Sequence, residues 1–155
     1  MKKLLFILTV IASITTANAQ QPTIEQTLKY LNANITDLDI GAWGYDKIAY
    51  DEEKNIIEIT LRCVRDCEGE SYPQILKVNM NRSYEIEYFK DDENLVSVNF
   101  KTSSIINTYP SGKKTTRKLF AYSKINPKMH SAMKHLLKLA YANRDTTFDN
   151  ISFDD

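Results

Sequence analysis

Between Pro22 and Ile35 the apolar residues Ile24, Leu28, Leu31 and Ile35 recur at intervals of three or four. That interval places them on one face of a helix. Thr23 and Gln26 stand three apart at its start, the arrangement of a capping box. From Ala42 to about Ile125 the period changes to two. Ile57, Ile59, Leu61 and Cys63 alternate with Glu58, Thr60 and Arg62, as strand side chains do when successive residues point to opposite faces. Tyr72, Gln74, Leu76, Val78 and Met80 alternate with Ile75, Lys77 and Asn79 in the same way. The segments SYEIEYF and LVSVNFK repeat the pattern around Asp91-Asp92-Glu93-Asn94, and INTYPSGKKTTRKLFAYSKI repeats it around Tyr109-Pro110-Ser111-Gly112. Proline followed two residues later by glycine suits a type I turn. Connections this short join antiparallel strands, because parallel strands need long crossovers. The chain predicts six or seven strands in a meander.

After the strands, Met129, Ala132, Met133, Leu136, Leu137 and Ala140 return to helical spacing, with Lys128, Lys134 and Lys138 on the other side. Asn126 is placed to cap this helix, and Pro127 falls at the first helical position, where proline is favoured. The fold class that follows is α+β: an antiparallel six- or seven-stranded meander or half-barrel, with a short N-terminal helix and a C-terminal helix packed on the sheet.

The first twenty residues read differently. Lys2 and Lys3 precede an apolar run from Leu4 to Ile14, and small residues follow up to Ala17-Asn18-Ala19. This is the layout of a secretory signal peptide, with cleavage expected after Ala19. The run is shorter than the ~20 apolar residues that cross a bilayer, so no transmembrane segment is expected in the mature chain. Residues 1–19 are thus read as a signal peptide, 20–147 as one α+β domain and 148–155 as an acidic tail. The expected location is the periplasm or the extracellular space.

The whole chain has formal charge zero with 20 basic and 20 acidic residues. Removing Lys2 and Lys3 with the leader leaves a slightly acidic protein, which provides no field for gripping nucleic acid. Export also bears on the only two cysteines, Cys63 and Cys67, because thiols stay oxidised outside the cytoplasm. Two cysteines alone do not complete a four-ligand zinc site, and redox motifs of the thioredoxin type have two intervening residues where this pair has three. A disulfide leads over two buried thiols and over metal or redox chemistry. It requires the chain to turn, since bonded cysteines have Cα atoms ~4.4–6.8 Å apart.

No motif for catalysis stands out. His130 and His135 lie five apart on the C-terminal helix, about 140° around its axis, so they do not form an i, i+4 metal pair. The acidic groups at residues 51–53 and 91–93 sit between strand segments, where solvated turn residues belong. Neither a metal nor a cofactor is expected. In KKTTRK, Lys114, Thr116 and Lys118 share one strand face and Lys113, Thr115 and Arg117 the other. Such a strand either discourages edge aggregation or meets a small anionic group. Tyrosine is frequent, with nine residues, and gives large contact area with a polar tip. The candidate binding surface is Trp43, Tyr45, Tyr84, Tyr88, Lys114 and Lys118.

The order of leader, TIEQTLKYLN helix, meander with a close cysteine pair, and SAMKHLLKLA helix resembles small secreted proteins of unknown function from Bacteroidota-type bacteria. A meander closed by a C-terminal helix is also similar to the pleckstrin-homology-like half-barrel, by analogy of architecture alone. These likenesses imply no activity. The leading expectation is a non-enzymatic binding module that holds a protein or peptide. A carrier of a small apolar or lipid-like ligand between the sheet and the last helix comes second, and an enzyme third.

Overall fold

The structure, a computed structural model, describes residues 21–67, 72–82, 86–92, 94–100 and 103–144. The expected signal peptide (residues 1–19), the expected acidic tail (148–155) and Tyr84 lie outside these residues. The elements are α1 (Ile24–Ala33), β1 (Trp43–Asp51), β2 (Ile56–Cys63), β3 (Gln74–Asn79), β4 (Ile86–Asp92), β5 (Leu95–Phe100), β6 (Ile105–Thr108), β7 (Lys114–Arg117), β8 (Leu119–Ser123) and α2 (Pro127–Ala142). Short 3-10 turns lie at Ile35–Leu38 and Met80–Arg82. The fold is α+β with antiparallel strands, as expected. Lys118 alone separates β7 from β8, and counting them as one bent segment gives seven strands.

Both helices form as their sequences dictate. The Thr23 hydroxyl accepts from the Gln26 backbone N–H, and the Gln26 side chain accepts from the Thr23 N–H, completing the capping box. At α2 the Asn126 side chain accepts from the N–H groups of Lys128 and Met129. Met129, Met133, Leu136, Leu137 and Ala140 are fully buried on one stripe of α2. They join one core with the inward residues of the strands.

Five strands pair in the order β1-β2-β3-β6-β7 and three in the order β4-β5-β8. These two sheets are parts of one meander. β3 and β4 run along the same side of β6 and β5, while β7 and β8 run along the other. From the Asn99↔Leu119 pair to the Ile105↔Arg117 pair the chain advances six positions on one arm and two on the other. Extra residues on one side of a ladder bend it and increase its twist. The Met80–Arg82 turn interrupts the neighbouring arm at the same level, where Asn79 N–H bonds to the Ser104 carbonyl at 2.9 Å. A fold line therefore crosses three successive arms and divides the meander into its two sheets.

Below that line the structure draws together. The buried Tyr45 hydroxyl donates to the carbonyl of Ala121 on β8, spanning from the first strand to the last. Burial, reinforced by Tyr122 and Asp39, pushes the Tyr45 phenol well above the ordinary tyrosine range, so it remains a donor. A bulge in β1 between Tyr45 and Lys47 lets Tyr45 and Ile48, three apart, both turn inward. Simple alternation does not predict that.

The two edges of the five-stranded sheet differ. At β1, Ile48 N–H donates to Asn32 Oδ1 at 2.9 Å and Ile48 C=O accepts from Asn32 Nδ2 at 2.8 Å. One α1 side chain thereby takes the place of a strand partner. Tyr45 N–H is likewise met by Asp39 Oδ1 at 2.8 Å. Among the described residues, β7 carries no comparable cap. Replacing Asn32 by alanine leaves two Ile48 backbone groups without partners, and a loss of ~1–3 kcal/mol is expected in denaturant unfolding.

Cys63 and Cys67 are joined by a disulfide, with Cα atoms 5.9 Å apart. Cys63 ends β2 and is exposed, so the buried alternation of that strand stops at Leu61. The closed loop is small, and removing the bond by Cys63→Ser with Cys67→Ser lowers stability by about 2 kcal/mol. Thiol alkylation of the denatured, unreduced protein is expected to label neither cysteine.

Candidate functional site

The residues of the expected binding surface do not come together. Trp43 is exposed (41 %), pairs across the ladder with Cys63 and, with half-exposed Val64, forms an apolar corner at the β1–β2 rim. Tyr45 leaves the surface altogether: it is 2 % exposed and held by Ala121. The Tyr88 backbone pairs with Val98, while its side chain, like all of Tyr84, is outside the described residues. Lys114 and Lys118 are exposed but belong to the far edge. Four strand spacings of ~4.8 Å separate β1 from β7, or about 19 Å.

The Trp43 corner rests on an ion pair. Arg62 Nη2 lies 2.8 Å from Asp39 Oδ2, and Arg62 Nε donates to Tyr45 C=O at 3.3 Å. Arg62 crosses the backbone at Gly44, where a Cβ would stand 2.5 Å from Val64 Cγ2 and 2.9 Å from Arg62 Cζ. The close approach of these two side chains is what requires glycine there.

Among the described residues, neither histidine pairs with a carboxylate. His130 Nδ1 lies 3.1 Å from the Tyr122 hydroxyl. His135 Nε2 lies 2.7 Å from the Pro22 carbonyl, which only accepts, so Nε2 carries the proton. Pro22, Gln26, Thr27 and Tyr30 line an open groove of about 520 Å³ with Ser131, Ala132 and His135. It lies between the N-terminal segment and α2. Among the described residues, no three His, Cys, Asp or Glu side chains come close enough to hold a metal. Glu52 and Glu53 lie in the β1–β2 turn, as expected, and Asp51, the last residue of β1, pairs with Lys54 at 2.8 Å. The other acidic group departs from expectation, because Asp91 and Asp92 belong to β4 and the turn falls after them.

A cluster that the alternation implied but did not assign to a face lies on β3, β6 and β7. Ile57↔Val78, Val78↔Ile105 and Ile105↔Arg117 are cross-strand partners, as are Ile59↔Leu76, Leu76↔Asn107 and Asn107↔Thr115. Directly opposed residues share a sheet face. Ile57, Ile59, Leu76, Val78 and Ile105 are buried in the core, which places Thr115 and Arg117 on the core-facing side with Asn107. Asn107 is wholly buried, and its Nδ2 donates to the Oε1 of Gln74 at 2.9 Å. Arg117 Nη2 lies 3.4 Å from the Tyr109 hydroxyl. The Arg117 guanidinium first, and then the neighbouring Thr115 hydroxyl, hold the Tyr109 phenol below the usual tyrosine range, with a smaller contribution from Asn107. Five polar side chains thus occupy inward positions where apolar residues would complete a core.

His130 gives the protein an acid limb. Partial burial, followed by Lys134 and Lys124, lowers its pKa below the ordinary histidine value. The unfolded chain therefore takes up the proton first. Stability contributed by neutral His130 is present above about pH 6.5 and is lost as the pH falls through the lower folded pKa. Denaturant midpoints measured across this range are expected to fall with acidification, and His130→Gln is expected to reduce that dependence.

No family model, curated protein or solved structure matches the chain.

Proposed function

We propose that the protein is an exported, non-enzymatic binding module that holds a peptide or protein segment along the β7 edge. The observation that carries this reading is the asymmetry of the sheet edges. β1 is plugged by Asn32 and Asp39, whereas β7, the last strand of the five-stranded sheet, pairs among the described residues with β6 alone. An open edge offers a row of backbone donors and acceptors to an extended chain, the recognition mode known as strand addition.

Exposed Lys113, Lys114 and Lys118 select the partner. Two copies of this edge repel one another, which suppresses self-pairing, while an acidic strand gains from the same charges. The leader and the Cys63–Cys67 bond support an oxidising compartment outside the cytoplasm. The architectural likeness to pleckstrin-homology-like half-barrels, hosts to many binding roles, is compatible with this use. The carrier reading has less support, because the α2 stripe facing the sheet is filled by fully buried Met129, Met133, Leu136 and Leu137.

Short peptides displayed on phage and selected on the oxidised protein are expected to be acidic and β-branched. One of them, added to labelled protein, is expected to shift the backbone amides of residues 113–118. Lys114→Glu combined with Lys118→Glu should weaken it by about tenfold or more. Selected peptides that leave those amides unmoved would rule out the β7 edge as the site.

A further inference from the structure

We propose that the core-facing side of β6 and β7 is a binding site for a carboxylate bearing an O–H or N–H donor on its α-carbon. Arg117 and Thr115 hold the anion and Asn107 accepts from the donor. This site lies on the opposite face of β7 from Lys114 and Thr116 and does not depend on strand addition at the edge.

The first argument is the charge of Arg117. Two arginines on the sheet are partly buried, and their surroundings differ. Arg62 has a carboxylate, Asp39, at 2.8 Å. Arg117 has a neutral phenol at 3.4 Å, and no carboxylate among the described residues pairs with it. A guanidinium offers five donors in a fixed fork that matches a carboxylate with two parallel bonds. A single long contact to Tyr109 leaves most of that capacity unused.

The second argument is convergence. Arg117, Thr115 and Asn107 share the core-facing side of the sheet, Arg117 Nη2 lies 3.4 Å from the Tyr109 hydroxyl, and all three favour the ionised phenol. Donors drawn from two strands onto one patch form an environment suited to negative charge. Tyr109 follows β6, at the turn closed by the Gly112 N–H to Tyr109 C=O bond of 2.9 Å. Its hydroxyl borders the cluster at Arg117, where a ligand oxygen can share that donor.

The third argument is independent of charge. Asn107 is 0 % exposed, and its Oδ1 has no hydrogen-bond partner. Buried side-chain oxygens are ordinarily paired, and an orphan in a well-packed sheet is costly. Because Nδ2 of the same amide already donates to Gln74, Oδ1 accepts only from something brought to it. A plain anion does not supply that donor. A carboxylate with a neighbouring hydroxyl or amide N–H does, whether it is a free small acid or the C-terminal residue of a peptide.

Three probes separate these features: acetate, which has no donor, glycolate, which has a hydroxyl, and N-acetylglycine, which mimics a peptide C-terminus. Each is titrated into isotope-labelled, oxidised protein at constant ionic strength. Saturable shifts are expected at the Arg117 Nε–H and the Asn107 side-chain amide. Glycolate or N-acetylglycine should bind about tenfold more tightly than acetate, as one additional satisfied buried group implies. The tighter of the two identifies a free acid or a chain terminus as the source. Arg117→Lys keeps the charge but loses the fork and should weaken binding about tenfold, while Thr115→Val, close in shape, should weaken it with the rest of the spectrum unchanged. Non-saturating shifts, shifts confined to Lys113, Lys114 and Lys118, or equal binding of all three probes would overturn the proposal. So would tighter binding of inorganic phosphate than of any carboxylate.

Discussion

The bend shared by three successive arms of the meander governs the rest of the architecture. The arms β3 with β4, β6 with β5 and β7 with β8 pass from the five-stranded sheet to the three-stranded one near Met80, Ser104 and Lys118. A flat sheet would expose one of its faces along its full length. The bend instead lets the β4-β5-β8 half and the five-stranded half face a common core, so that Val98 and Phe120 join the same apolar cluster as Ile59 and Val78. Tyr45 secures the closure by bonding β1 to β8 across that core. Beyond the line, β7 is carried past the region where Tyr45 closes the sheet.

Two consequences follow for recognition. The β1 edge is sealed by polar side chains from the preceding segment, an economical substitute for another strand. Among the described residues the β7 edge lacks such a seal, and on its inward side the core gives way to Gln74, Asn107, Tyr109, Thr115 and Arg117. Polar groups are poor core material unless their hydrogen bonds are complete, and those of Asn107 are incomplete. Both departures from ordinary packing fall on the same strand pair. Their coincidence is what directs attention to β6 and β7 and away from the histidines or the Trp43 corner.

Much of the fold was legible in the sequence because period and capping are local properties. The Thr23–Gln26 box, the Asn126-Pro127 start, the α2 stripe, the Tyr109–Gly112 turn and the cysteine staple all follow from residues within a few positions of one another. The bend was not legible, because alternation runs through LVSVNF and KTTRKLFAYS with little break while the pairing partners change. The role of Tyr45 was hidden by the β1 bulge, which shifts the inward set by one residue. The KKTTRK segment was divided correctly into two faces, but which face turned inward depended on its register with β6. Arg117 therefore passed for a surface charge, and Lys114 and Lys118 drew the attention instead.

One edge of the five-stranded sheet is closed and, among the described residues, the other is open. Residue-resolved hydrogen exchange on the free, oxidised protein tests it most directly, because amides bonded in the ladder or to a capping side chain exchange only through opening. The account predicts strong protection at Tyr45 and Ile48, whose amides meet Asp39 and Asn32, and fast exchange at those amides of residues 114–117 that point away from β6. Uniform protection along β7 would contradict it.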